Sequence, residues 1–204
     1  MPTERFYKLP KVKRDVIREA AIEEFNRVPF EKASINKIVK TAEISRGSFY
    51  TYFEDKRDLL AYIFEEADER LLQTWLQCAK ECGGNLWKTA ELFLEENMVQ
   101  TERRFFKIVK NIIVLEDSQN MVTGMLYCKQ KEMKDSRLDV IIASADLTGF
   151  RSNAREEFKL LLFMIGASIA ESIGRYCWQP EEKENIIKDF RKTLNILQHG
   201  IYKN

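Results

Sequence analysis

Residues 34–53 read Ser34-Ile35-Asn36-Lys37-Ile38-Val39-Lys40-Thr41-Ala42-Glu43-Ile44-Ser45-Arg46-Gly47-Ser48-Phe49-Tyr50-Thr51-Tyr52-Phe53, and this stretch decides the fold. Ser34 is a good helix N-cap, and Ile35, Ile38, Val39 and Ala42 follow it at the spacing of one helical face. The helix so predicted has only about two turns. After Glu43-Ile44, Ser45 offers a second cap, and residues 46–53 form a second short helix. Two short helices joined by a tight turn make a helix-turn-helix.

The second helix has two unlike faces. Phe49 and Phe53, four residues apart, anchor one side to a core, with Ile44 just before them. The other side shows Arg46, Ser48, Tyr50 and Thr51, all donors of short or rigid reach. Arg46 suits guanine or phosphate, Ser48 and Thr51 suit base edges, and Gly47 lets a backbone approach closely. An ordinary helical hairpin with locally packed tyrosines is the bland alternative.

Working outward, Pro10 suits a helix entry, and Val12, Val16, Ile17, Ala20, Ala21, Phe25 and Val28 continue at helical spacing until Pro29. Residues 1–18 carry six basic side chains against two acidic ones, an imbalance that suits a phosphate-facing surface or a plain solvated face. Asp55 caps a third start, and Leu59, Leu60, Ile63, Phe64, Ala67, Leu71 and Trp75 form a long amphipathic stripe. Gly83-Gly84 ends it.

Further helices are expected at about 85–100, 102–116 and 119–134, with residues 135–152 read as a helix fragment plus loop. Asn153 caps another helix, in which Leu160 to Ala170 is apolar nearly all round and must be covered on more than one side. Pro180, Glu181 and Glu182 open the last helix, with Ile186, Ile187, Phe190, Leu194, Leu197 and Ile201 on its apolar face. The expected fold is therefore all-α, with about nine helices.

Composition narrows the function classes. The 204 residues hold 33 Lys+Arg and 32 Asp+Glu, a formal net charge of +1, which argues against a uniformly polybasic protein. Residues 1–57 hold 13 basic and 9 acidic side chains, so the balance conceals a basic first third. Eight glycines and four prolines mean few turns and long elements. No signal peptide is visible, and the longest uncharged stretch, Leu160 to Ala170, is well short of the ~20 residues that span a bilayer. A cytoplasmic protein without a membrane partner is the default.

Catalytic constellations are missing from the sequence. With His199 the single histidine, no His-based triad or multi-histidine metal site is available. Neither a GxxxxGK[ST] nor a GxGxxG turn is present, and no cofactor is expected. Cys78, Cys82, Cys128 and Cys177 are too sparse for a disulfide scaffold and lack the ligand number of a structural zinc site. The first two share a helix face, where buried structural cysteines are the simpler reading than a soft-metal or oxidant sensor.

The run from Phe30 to Leu60 closely resembles the N-terminal domain of the tetracycline-repressor (TetR) family. The family pattern is an apolar Ser/Thr-capped helix, an Ala-Gly-Val-Ser turn, then Gly-x-Φ-Tyr-x-Tyr/His-Phe-x-x-Lys-x-x-Leu. Ala42, Ser45, Gly47, Phe49, Tyr50, Tyr52, Phe53, Lys56 and Leu59 match it position by position. Glu43 stands where the family usually has glycine, and Val28-Pro29-Phe30 replaces the common glycine after the first helix. If residue 43 needs positive φ, glutamate there costs on the order of 1–2 kcal/mol.

The resemblance implies a helix-turn-helix domain over residues 1–57, with the motif at 34–53, and an effector-binding and dimerisation domain over 58–204. It implies that Ser34, Lys37 and Asn36 face phosphates, that Arg46, Gly47, Ser48, Tyr50, Thr51 and Tyr52 lie in or over a major groove, and that Tyr50 and Lys56 clamp the backbone. Helix N-termini at Ser34, Ser45 and Asp55 would add amide donors. It implies a DNA-binding transcriptional regulator, a repressor bound as a homodimer to a palindromic operator and released by a small-molecule effector of unknown identity. A co-regulator of the same fold that acts through protein contacts is the alternative, and a helical enzyme a more distant one.

Trp75, Phe93, Phe105 and Tyr127 are candidates for the effector cavity, though aromatics at this spacing also serve as plain core. Phe163, Gly166, Ala170, Gly174, Phe190 and Leu194 are candidates for the dimer interface. The other reading of those last two helices is a hairpin buried within one chain.

Overall fold

The computed structural model describes residues 2–100, 135–150 and 155–200. Nine α-helices lie among them: α1 (Glu4–Tyr7), α2 (Lys11–Arg27), α3 (Ile35–Thr41), α4 (Arg46–Tyr52), α5 (Lys56–Glu81), α6 (Leu86–Gln100), α7 (Asp135–Ala143), α8 (Arg155–Trp178) and α9 (Lys183–His199). No strand occurs among the described residues. The all-α expectation therefore holds. The helices expected at 102–116 and 119–134, the cap Asn153, and Phe105 and Tyr127 lie outside the described residues.

The described residues fall into two compact units, one up to Leu71 and one from Leu72 onward. The division lies within α5 rather than at its start. Leu59, Tyr62 and Ile63, on the first turns of α5, are buried in the same core as α1–α4.

The first unit is organised by aromatic rings. Phe49 of α4 and Phe53, the C-cap that follows it, are both fully buried with centroids 5.4 Å apart. Phe25 and Phe30 pack at 5.3 Å where α2 gives way to a short 3₁₀ turn at Phe30–Lys32. Phe6, inside the charged N-terminal tail, is fully buried against Phe53 at 4.7 Å and Tyr62 at 4.8 Å. Burying one such ring contributes on the order of 2–3 kcal/mol, enough to order a four-residue helix that could not stand alone. Thr3 completes the docking: its N–H donates to the Tyr52 carbonyl at 2.9 Å and its hydroxyl to the Thr51 carbonyl at 2.8 Å. These are end-of-helix acceptors with no partner inside α4.

Polar contacts tie α2 to α5 within the same unit. Arg18 donates to Glu66 and to Asp15, each at 2.8 Å. The Tyr62 hydroxyl donates to the other Glu66 oxygen at 2.5 Å. Burial and the neighbouring carboxylate hold the Tyr62 phenol above its ordinary range, while its hydroxyl and Arg18 draw the Glu66 carboxyl down.

In the second unit, α8 packs against α9 and α6. Phe158, Ile165, Ile169 and Ile173 of α8 and Ile186, Phe190 and Leu194 of α9 are buried. The side of α8 carrying Leu160 (56% exposed) and Met164 (50%) is left uncovered, as is Ile196 (48%) on α9. By length and composition α8 could cross a bilayer, but its buried isoleucines face helices of this unit. Phe190 and Leu194, expected at an interface, lie within the monomer's own packing. Phe163, Gly166, Ala170 and Gly174 are half-buried.

Trp75 and Phe93 are buried edge-to-face at 5.4 Å. Cys78, one turn beyond Trp75, is buried, and burial pushes its thiol up to about 11, so it stays protonated near neutrality.

At the end of α5 the backbone closely approaches another segment of the second unit. Gly83 and Gly84 both have positive φ and return their N–H groups to Lys80 and Ala79, closing the helix in a Schellman motif. The Gly84 carbonyl then accepts from Asp146 N–H at 2.8 Å. A Cβ on Gly84 would stand 2.9 Å from Asp146 N and 3.2 Å from the Ser144 carbonyl, whereas one on Gly83 would meet nothing within 4 Å. Gly83→Ala is expected to cost about 1 kcal/mol for the left-handed conformation, and Gly84→Ala at least about 2 kcal/mol because the chains must also part. Urea denaturation of both variants checks the order, and equal losses would remove the steric part of this account.

Candidate nucleic-acid interface

The polar surface of α3 and α4 is built from the turn between them. Ala42 ends α3, Glu43 follows with φ +50°, Glu43 N–H donates to Lys40 and Ile44 N–H to Val39. This is again a Schellman ending, with Ile44 packed on the core as its apolar member. The turn does demand a left-handed residue at 43, so the glutamate carries the strain that the sequence raised. The turn nevertheless forms its expected bonds.

Two caps differ in kind. Ser45 caps α4 through its side chain, which accepts from Ser48 N–H at 2.9 Å. Ser34 starts α3 without a side-chain cap. Its N–H donates instead to Glu24 Oε1 at 2.9 Å, and Glu24, 4% exposed, also accepts twice from Arg27 at 2.7 and 2.8 Å. Arg27 first, and then the Ser34 amide, hold the Glu24 carboxyl below the usual range. Asp55 caps α5, accepting from Arg57 and Asp58 N–H at 2.7 and 3.1 Å.

Asn36, Lys37, Ser45, Arg46, Gly47 and Tyr50 are all exposed on this surface. Arg46 donates to Asn36 Oδ1 at 2.9 Å and to the Tyr50 hydroxyl at 3.3 Å, with its Cζ 5.6 Å from the Tyr50 ring centre. A Cβ at Gly47 would touch only Ser45 Oγ, at 3.7 Å, so packing within the protein does not require glycine there.

Four other residues of the predicted set are engaged by the protein itself. Thr51 donates to the Gly47 carbonyl at 3.0 Å, and Ser48 Oγ lies 2.9 Å from Ser45 Oγ. Tyr52 is half-buried with its ring 6.1 Å from that of Phe6. Lys56 is drawn inward: its ammonium donates to the carbonyls of Phe30 and Glu31 at 2.8 Å, with Ala33 at 3.4 Å, and sits 4.9 Å from the Phe30 ring centre. Ser34, Asn36, Arg46, Asp55, Lys56 and Arg57 line an open groove of about 480 Å³.

Glu24, Thr3 and Phe6 are the supporting residues that sequence reasoning missed. Phe6 left a trace, as a phenylalanine set among the charges of the tail. Glu24 left none, being one of several acids on α2.

Two outcomes follow from this geometry. Glu43→Gly removes the left-handed penalty but loosens the unfolded chain, so a net stabilisation of about 0.5–1 kcal/mol is expected in denaturant titration. A lowered midpoint would show that the glutamate is not strained. Lys56→Met strips the carbonyls of their shared donor and is expected to cost about 1–2 kcal/mol of stability. Unchanged stability would leave Lys56 no role within the protein.

Residues 17–63 match the model of the bacterial regulatory proteins of the tetR family, and residues 85–201 that of the tetracyclin repressor-like C-terminal domain. The chain is 35% identical over 105 residues to YvdT, an uncharacterized HTH-type transcriptional regulator of Bacillus subtilis strain 168. That match covers 50% of each protein, so the chain spans about half the length of that curated relative. The fold is similar to that of the transcriptional regulator FadR from Bacillus subtilis, crystallised with stearoyl-CoA, at a TM-score of 0.57 and 20% identity over 92% of this chain and 99% of that one. With a helix-turn-helix presenting Arg46, Tyr50 and Lys37 outward, and with the C-terminal family model covering more than half its length, the chain belongs to the TetR family of transcriptional regulators.

Proposed function

We propose that the protein is a repressor that binds a palindromic operator as a homodimer and is released by a small-molecule effector. The observation that carries this reading is the α3–α4 surface. Its aromatic side is wholly buried, and its polar side presents Arg46, Tyr50, Lys37 and Asn36 to solvent. Such a surface has the size, charge and close-approach glycine of a major-groove reader. Residues 1–57 carry it, and residues 58–204 are assigned to dimerisation and effector binding.

Dimerisation is supported by the uncovered apolar side of α8. Leu160 and Met164 lie one turn apart and both are at least half exposed. Paired helices from a second subunit would cover them, with half-buried Phe163, Gly166, Ala170 and Gly174 alongside. Trp75 and Phe93 remain the described candidates for the wall of an effector cavity. The protein is expected to act in the cytoplasm, and nothing in the reading calls for catalysis. Because the turn at Glu43 keeps its bonds, its geometry does not favour a co-regulator that has lost DNA binding.

The experiment is selection of bound duplexes from a random library, with the oligomeric state measured in parallel. The expected product is a palindrome with half-sites about 34–36 Å apart, bound with affinity that falls steeply with salt. Tyr50→Ala should weaken binding with the fold retained, and Leu160→Glu with Met164→Glu should yield monomers that lose the palindrome. A monomeric wild type without sequence selectivity would defeat the proposal.

A further inference from the structure

One guanidinium joins the two short helices across the outer surface. Arg46 opens α4, and its Nη1 reaches Asn36 Oδ1 on α3 while its Nη2 reaches the Tyr50 hydroxyl one turn further along α4. Only the carbonyl end of an asparagine side chain can accept from a guanidinium, so this contact also sets which way the Asn36 amide points. An exposed arginine ordinarily spreads over many rotamers and loses that freedom on binding. Here two anchors on different helices hold the plane of the fork in advance, on a side chain that stays exposed.

The other side chains offered for base reading are committed elsewhere. Thr51 bonds the Gly47 carbonyl, and Ser48 pairs with Ser45. Asn36 would need to aim both its carbonyl and its amino group at adenine to read it in the bidentate manner, and its carbonyl is already directed at Arg46. A fixed guanidinium fork matches O6 and N7 of guanine.

We propose that Arg46 selects a guanine in each operator half-site and that Asn36 is the positioning residue that makes the selection sharp. This rests on the operator-binding reading above. Tyr50 supports Arg46 from the other side. Its hydroxyl oxygen accepts from the guanidinium at 3.3 Å, which leaves its own proton available for another acceptor.

The test is the same duplex selection carried out with wild type, Arg46→Ala, Asn36→Ala and Asn36→Asp, with melting temperatures recorded for each. Wild type should show one guanine column per half-site. Arg46→Ala should lose that preference by roughly ten- to a hundredfold. Asn36→Ala should weaken it about two- to tenfold at the same column, with the other columns, the salt dependence and the melting temperature unchanged. Asn36→Asp keeps an acceptor and should retain the guanine preference at lower overall affinity. Loss of a different column in Asn36→Ala would make Asn36 a base reader and overturn the positioning role. A selective wild type whose Asn36→Ala variant keeps its full guanine preference overturns this inference alone, while a wild type that selects nothing overturns both readings.

Discussion

The buried Glu24 carboxylate holds the exposed α3–α4 surface in place. A carboxylate at 4% exposure is costly unless each oxygen finds a donor, and here Arg27 supplies a fork and Ser34 a backbone N–H. The contact joins the last turn of α2 to the first residue of the helix-turn-helix, across the Pro29 bend. Its strength depends on completeness: removing Arg27 alone would strand a buried charge, a worse outcome than removing the pair. Because its folded-state pKa is depressed, Glu24 contributes stability that is present above its unfolded value and lost as pH falls through the folded one.

Around that pin, positive groups are divided between structure and surface. Lys56 spends its ammonium on the carbonyls of Phe30 and Glu31, which orders the approach to α3, while Arg46 and Lys37 stay outside. A net charge of +1 for the whole chain hides this division. What matters for an anionic partner is which cations remain at the surface, and where they are held.

The helix-turn-helix was legible because its determinants are local. The Ser45 cap, the Phe49–Phe53 face, the Asp55 cap and the Gly83-Gly84 stop each act within about one turn of the chain, and each appears where its residues predict. Contacts between polar side chains and distant backbone leave no such pattern. Thr3 meets Thr51 at a separation of 48 residues and Lys56 meets Phe30 at 26, and no periodicity announces either. The last two helices illustrate a related limit. Their apolar positions were plain, but whether Phe190 or Leu160 faces its own chain depends on how α8 and α9 are rotated against each other, and Phe190 proves to be the inward one.

The docking of Thr3 and Phe6 bears on how far this domain can be transplanted. Family likeness is recognised over residues 17–63, yet the ring that fills the space between Phe53 and Tyr62 comes from residue 6, and the donors for the last carbonyls of α4 come from residue 3. A chimera cut to the recognisable segment would carry every surface side chain of α3 and α4 into its new host. It would leave behind the plug that keeps α4 seated. The portable unit of this regulator therefore begins at least as early as Thr3, well before the boundary that similarity alone would draw.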